Sequence, residues 1–291
     1  MSMKKSLAHV NLAVNALWGI ILKFTYKFRT VRPLASTKST NLPIVVSLTS
    51  YGRRVEQTVY YTILSLFLQV KRPERIILWL DNINWSISNL PKKLVYLQQL
   101  GLEIRFIDDI KSYKKLIPTL QLCPNSIIVT VDDDVIYSRR LLEKLYESYI
   151  QSPTSIHATR ASRIIFNDGI PAPYSHWLKL TSSTTMSESQ DIVPIGIGGV
   201  LYPPNCLYRD VCNSELFMNL SPMADDLWFW AMSKLQNTTH VFVPLKNNFY
   251  SFDAFYQKRH RGSALTHTNV VSCNNDMQLK QILDYYKSHM D

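Results

Sequence analysis

The sequence predicts an α/β protein built on a mostly parallel sheet sandwiched by helices. Two patterns carry this. From Leu42 onward, short β-branched runs alternate with segments of helical periodicity. The strand runs are also continuously apolar, as strands buried on both faces are, where a half-exposed strand would alternate. Composition agrees. The 291 residues are 46% hydrophobic and 19% charged, an ordinary globular mixture with ample material for a core, which excludes a disordered chain. Four Cys in that length, with no CxxC spacing, exclude a disulfide scaffold and speak against a zinc knuckle.

The elements follow in order. Ile44–Leu48 is a buried-strand run, and Glu56–Leu68 has helical spacing. Arg75–Leu80 is a second strand, Pro91–Leu100 a helix stopped at Gly101, and Glu103–Ile107 a third strand. Lys114–Leu120 is a short helix, Ser126–Val131 a fourth strand, and Ser138–Ser152 a strongly periodic helix. The second half is less regular. Ser155–Arg160 and Ser162–Phe166 are candidate strands, Asn167-Asp168-Gly169 is a turn signal, and Thr181–Ser189 is a polar loop. Met223–Leu235 and Asp276–His289 read as helices. This divides the chain into an N-terminal segment (1–38), a first half (39–152) and a second half with a closing region (153–291).

The formal charge of +10 raises nucleic acid first, but its placement redirects it. Lys4, Lys5, Lys23, Lys27, Arg29, Arg32, Lys38, Arg53 and Arg54 all precede the first acid, Glu56, and beyond that point bases and acids nearly balance. The early segment is also apolar: Leu7–Phe24 carries a narrow polar stripe through Asn11, Asn15, Gly19 and Lys23. That pattern predicts an N-terminal amphipathic helix lying on an anionic membrane surface, with a core helix and a true span as the competing readings. A nucleic-acid partner is not expected.

The sharpest motif is Asp132-Asp133-Asp134, directly after the fourth strand. Adjacent carboxylates repel, and a divalent cation relieves that repulsion. On extended backbone Asp132 and Asp134 share one side, able to hold one ion together. Glycine is scarce, yet three of the eight lie in Gly196-Ile197-Gly198-Gly199, which points to positive φ or close backbone approach there. Asp225 and Asp226 open a helix, where acids serve either as caps or as chemistry.

The run IIVTVDDDVIYS resembles the DxD segment of GT-A glycosyltransferases. VSLTSYGRR, RIILWLD, SYKKLIPTL, GIGGVLYPP and ADDLWFWAM, in that order, are similar to a bacterial group related to the family 2 glycosyltransferases. The resemblance spans about Pro43 to Leu235. It implies a GT-A-like (Rossmann-like) fold and transfer of a sugar from a nucleotide-diphosphate sugar to a glycan or lipid-linked glycan acceptor, with Mn²⁺ or Mg²⁺. It places nucleotide base and ribose near Thr49, Ser50, Tyr51 and Arg53, base contact at Asp81, and donor phosphate at Lys114 or Lys115. Asp132 and Asp133 meet the donor, Asp132 and Asp134 hold the metal, and Gly198 and Gly199 border donor sugar and acceptor. The catalytic base lies in the pair Asp225 and Asp226, which favours inversion. A late His, here His260, is the candidate third metal ligand, within a basic run (258–261) that suits diphosphate.

Each assignment has a plainer rival. Arg53 is a surface charge, Asp81 caps its loop, the Lys pair is solvated, Asp225 and Asp226 cap their helix, Trp228 and Trp230 are core, and His260 sits in an exposed loop. The expected protein is a transferase of surface polysaccharide or lipopolysaccharide biosynthesis, cytoplasmic and peripheral on the inner face of the membrane. The alternatives are a metal-dependent nucleotidyltransferase or phosphohydrolase using the Asp triplet, and a non-catalytic, membrane-tethered glycan-binding protein.

Overall fold

The structure is a computed structural model that describes residues 21, 24–25, 31–34, 42–246, 248–251 and 274–287. Its strands are β1 (Ile44–Thr49), β2 (Arg75–Asp81), β3 (Leu102–Ile107), β4 (Ile127–Thr130), β5 (Val135–Tyr137), β6 (Ile156–Ala158), β7 (Ala161–Arg163), β8 (Phe166–Asn167), β9 (Ile170–Pro171), β10 (Leu178–Leu180), β11 (Ser187–Ser189), β12 (Ile192–Pro194), β13 (Val200–Tyr202), β14 (His240–Phe242) and β15 (Phe249–Ser251). The helices are α1 (Arg54–Gln57), α2 (Val59–Phe67), α3 (Lys92–Gln99), α4 (Ile117–Leu122), α5 (Leu141–Gln151), α6 (Ser214–Leu220), α7 (Asp225–Leu235) and α8 (Asn274–Tyr285).

Among the described residues the main sheet has eight strands in the order β11-β14-β6-β13-β4-β1-β2-β3. β1 pairs in parallel with both β2 and β4, and β2 with β3. β13 runs antiparallel between β4 and β6, β14 runs parallel to β6, and β11 closes the edge antiparallel to β14. The expected mostly parallel sheet, covered by helices, is therefore present, and it takes strands from both halves of the chain. Alternation along the strands feeds two cores. Ile44, Val46 and Leu48 of β1 and Ile127 and Val129 of β4 pack with Ile63, Leu94 and Leu145, from α2, α3 and α5. On the opposite face, Ile128 joins Trp228, Phe229 and Ala231 of α7 and Ile282 of α8. Each such side chain contributes about 1.5–3 kcal/mol on burial.

The second half departs from expectation. Asp168 (φ 49°) and Gly169 (φ 79°) do form a turn, but it joins the two-residue strands β8 and β9. The candidate strands separate: β6 enters the main sheet, while β7 lies between β10 and β12 in a three-stranded sheet. The polar stretch 181–189 ends in an edge strand, β11. An edge strand is held by backbone bonds and tolerates Ser and Glu on both faces. The predicted helix at Lys114–Leu120 is split: Lys111–Lys115 is a 3₁₀ turn, and α4 follows with Pro118 in its first turn.

Two anchors position the site. Gln69, just past α2, donates to the carbonyls of Ser65 (3.0 Å) and Ser138 (2.8 Å) and accepts from Leu142 N–H (3.1 Å). Thr62 Oγ1 donates to the Val135 carbonyl at 2.7 Å. The chain following the Asp triplet is thus tied to a buried helix. At the other end of the sheet, Leu34 N–H bonds the Leu100 carbonyl at 2.9 Å, just ahead of β3. The N-terminal segment therefore meets the body at the amino ends of the parallel strands. The expected amphipathic helix lies almost wholly outside the described residues, and among those described no helix is long and apolar enough to cross a membrane.

Candidate active site

The strand order places β1 between β2 and β4, so the connections leaving the carboxyl ends of β1 and β4 diverge. Open α/β sheets bind ligands at such a switch point. Ser50–Arg54 leaves β1 there, and Asp132–Asp134 leaves β4.

The Asp triplet does not behave as an extended Asp-x-Asp. β4 ends at Thr130, and the chain bends at Asp133 and Asp134, so alternation no longer sets the side-chain directions. Asp133 and Asp134 both turn towards α1. Arg54 Nη1 donates to Asp133 Oδ1 at 2.9 Å, Arg54 Nη2 lies 3.1 Å from Asp134 Oδ2, and Ser50 Oγ donates to Asp133 Oδ2 at 2.5 Å. Both carboxylates are buried. Burial pushes Asp133 above the usual carboxylate range, with Asp132 adding to it, against Arg54 and Ser50. Burial would lower Arg54, but Asp133 and Asp134 outweigh it and hold the guanidinium charged. Asp134 thus pairs with Arg54, while Asp132 points elsewhere.

Asp132 faces the other way, towards Lys115. The Lys115 ammonium lies 2.8 Å from Asp225 Oδ2, 3.4 Å from Asp132 Oδ1 and 3.7 Å from Asp226 Oδ1. Burial alone would lower its pKa, but Asp225, Asp132 and Asp226 together hold it well above the ordinary lysine range. Asp225 and Asp226 sit in the first turn of α7, behind the N-cap residue Ala224, where the helix dipole favours acids. Asp226 accepts the Gly196 N–H, at 3.1 Å to Oδ2 and 3.3 Å to Oδ1. Burial, then Asp225 and Asp132, raise Asp226 against the pull of Lys115 and the Gly196 N–H, to a pKa of about 7.

The glycine loop explains its own composition. A Cβ on Gly196 would lie 2.4 Å from Lys115 Nζ, 3.2 Å from Asp226 Oδ1 and 3.3 Å from Asp132 Oδ1. A side chain at position 196 would have to displace the Lys115 ammonium and crowd both carboxylates. A Cβ on Gly198 would come within 2.7 Å of the Arg160 backbone nitrogen, and Gly199 has φ 86°. Tyr137 fastens this loop to the triplet: its hydroxyl accepts the Asp132 N–H at 2.9 Å and donates to the Ile197 carbonyl at 3.1 Å.

The remaining expected residues divide. Tyr51 is half exposed beside the switch point, with the Arg54 guanidinium 5.1 Å from its ring centre. Arg53 is exposed, the surface reading. Thr49 turns back to the Trp79 carbonyl at 2.9 Å. Asp81 accepts from Asn84 N–H and Nδ2 at 2.7 and 2.8 Å, which is the loop-capping reading. Lys114 pairs with Asp109, away from the cluster. Trp228 and Trp230 are core, each indole N–H spent on a backbone carbonyl. His260 and the basic run 258–261 lie outside the described residues. Sequence reasoning missed Arg54 and Tyr137, and marked Gly196 only through its cluster. The Arg53-Arg54 doublet and the leading glycine of the cluster were the visible signals, whereas nothing local marks Tyr137.

Among the described residues no three His, Cys, Asp or Glu side chains converge as a metal cage. A single carboxylate is enough, however, for an ion that takes its other ligands from phosphate and water. Asp132 fits that role. Its side chain is 31% exposed, the most open of the triplet.

No family model and no curated protein matches the chain. Solved structures that resemble it include S. aureus TarS 1-349, at 13% identity and TM-score 0.49, covering 85% of this chain and 72% of that one. TarS in complex with UDP matches at 14% identity and TM-score 0.46 over the same shares. UDP-glucose pyrophosphorylase from Acinetobacter baumanii matches at 12% identity and TM-score 0.45, covering 86% of this chain and 95% of that one. Similarities this slight leave the function to be argued from the site's own residues.

Proposed function

We propose that the protein is a glycosyltransferase that moves a sugar from a nucleotide-diphosphate donor to a hydroxyl of a glycan or lipid-linked glycan acceptor, with inversion at the anomeric carbon. One observation carries the reading. A carboxylate from α7, Asp226, raised by burial to a pKa of about 7, lies beside Asp132 on one side of Gly196, where a Cβ would meet their oxygens at 3.2 and 3.3 Å.

The donor diphosphate lies at the switch point between β1 and β4, beside Asp132 and within reach of Lys115, with the exposed ring of Tyr51 available to the base. Bound to Asp132 and the diphosphate, Mn²⁺ or Mg²⁺ would supply positive charge that stabilises the leaving group. Asp226 takes the proton of the acceptor hydroxyl. The acceptor oxygen bonds the anomeric carbon, and the carbon–oxygen bond to the β-phosphate breaks with its electron pair on the nucleoside diphosphate. A base near pKa 7 suits this step, since about half of it is ionised at neutral pH and it is still basic enough to accept the proton. Asp225, more buried and closer to Lys115, holds the ammonium in place.

The same carboxylate favours attack by a hydroxyl over nucleotidyl transfer to a sugar phosphate, whose oxygen is already ionised at neutral pH and needs no base. The basic, apolar segment 1–38 supports attachment to an anionic membrane surface, and thus a membrane-borne acceptor. A screen of nucleotide sugars with purified protein and Mn²⁺ tests the proposal. Nucleoside diphosphate should be released from one donor class when a hydroxyl acceptor is supplied. Release of pyrophosphate or inorganic phosphate instead contradicts it.

A further inference from the structure

Lys115 is the least expected member of the site. Sequence reasoning gives it to donor phosphate, yet its side chain is buried and its charge is spent on three carboxylates from two elements. The three contacts are unequal. The shortest, 2.8 Å, is to Asp225, whose side chain is 12% exposed. The longer ones, 3.4 and 3.7 Å, are to Asp132 and Asp226, each 31% exposed. The ammonium is therefore held firmly at the back of the cluster and loosely at its open front. In front of Gly196 a Cβ would meet Lys115, Asp226 and Asp132 together, so the ammonium and the two more exposed carboxylates face the same side.

We infer that in the free protein the Lys115 ammonium, 3.4 Å from Asp132, competes with a divalent cation for that carboxylate, and that an entering ion drives the ammonium further onto Asp225. The ammonium screens the acidic cluster while no donor is present. The ammonium opposes a second cation on the Asp132 carboxylate, because like charges a few ångströms apart repel. Ion binding to the empty site is consequently weak and is strengthened when a diphosphate brings its own negative charge. Lys115 is here a positioning residue that sets ion affinity. The inference rests on the proposed donor site for the identity of the diphosphate, and on geometry alone for the competition.

The test is nucleotide-free Mn²⁺ binding, read from the spectrum of the free aquo ion by electron paramagnetic resonance. Lys115→Met should bind Mn²⁺ at least about tenfold more tightly than the wild type, the scale of one neighbouring charge. Lys115→Gln supplies a second neutral replacement should Lys115→Met not fold. Lys115→Arg keeps the cation and should stay within about threefold of the wild type. Lys114→Met removes a nearby charge that Asp109 holds elsewhere, and should also stay near the wild type. Unchanged or weaker binding by the folded neutral Lys115 variants overturns the inference, as does equal tightening by Lys114→Met. No sugar nucleotide is present in the titration, so its failure leaves glycosyl transfer standing, and failure of the donor screen leaves the ion competition untouched.

Discussion

Replacing Asp226 by Asn should lower the turnover number by about 10²–10⁴-fold, the range of a lost general base, while leaving nucleoside diphosphate affinity within a few-fold of the wild type. Asn keeps the shape and can still accept the Gly196 N–H, so the loop stays in place and only proton acceptance is lost. The pH dependence supplies the signature. Asp226 titrates at about 7, and only its ionised form takes the acceptor proton. Below that pH the wild-type kcat/KM should fall about tenfold per unit, and above it the rate should level. The residual activity of Asp226→Asn should lack this acid limb. Retention of more than a tenth of the activity, or an unchanged acid limb, would remove Asp226 from its role. Asp225→Asn is the informative companion: it deprives Lys115 of its 2.8 Å partner, so its effect should extend to donor and ion binding as well as to turnover.

The second large effect is on stability. Arg54→Met should destabilise the fold by about 3–5 kcal/mol at neutral pH, the cost of breaking a buried charge network from one side. Asp133 and Asp134 are both buried and lose their guanidinium together. The sign of the pH dependence follows. A buried carboxyl without its cation has a folded pKa above its unfolded value near 3.9, so its contribution is intact below that value and is lost as pH rises through the folded pKa. The deficit of Arg54→Met relative to the wild type should therefore shrink as pH is lowered from 7 towards 4. Arg53→Met, one residue away and exposed, should change stability by less than about 0.5 kcal/mol. Urea unfolding of the three proteins at pH 7 and pH 5 measures both effects. Equal stability of the two Arg variants would refute the role given to Arg54.

How far the site can be read from the sequence depends on how local each signal is. The four-strand parallel core is visible in its apolar runs, and the triplet's place at the end of β4 follows from a strand entering a polar run. What fails is the extension of strand logic past the strand. Alternation predicts that Asp132 and Asp134 act together, but the backbone bends at Asp133, and the three side chains divide between Arg54 and Lys115. Arg53 and Arg54 are likewise indistinguishable by composition. The start of α1 decides between them, turning one outward and the other onto β4. The partners of Lys115 lie 17 residues away at Asp132 and more than a hundred away at Asp225, and no local pattern encodes such a meeting. Gly196 is the intermediate case: scarcity and clustering mark it, while the reason, a gap shared by three charged groups, belongs to tertiary structure. Trp228 and Trp230 follow the ordinary rule that aromatic residues at helical spacing are core.

The proposed mechanism joins one base to one donor position and calls for a single displacement. The most direct measurement is the anomeric configuration of the first transfer product, taken by proton nuclear magnetic resonance on the newly formed linkage before it equilibrates. A base on α7 facing a leaving diphosphate at the end of β4 predicts a configuration opposite to that of the donor sugar. A product with the donor's own configuration would contradict the role of Asp226 and the account built on it.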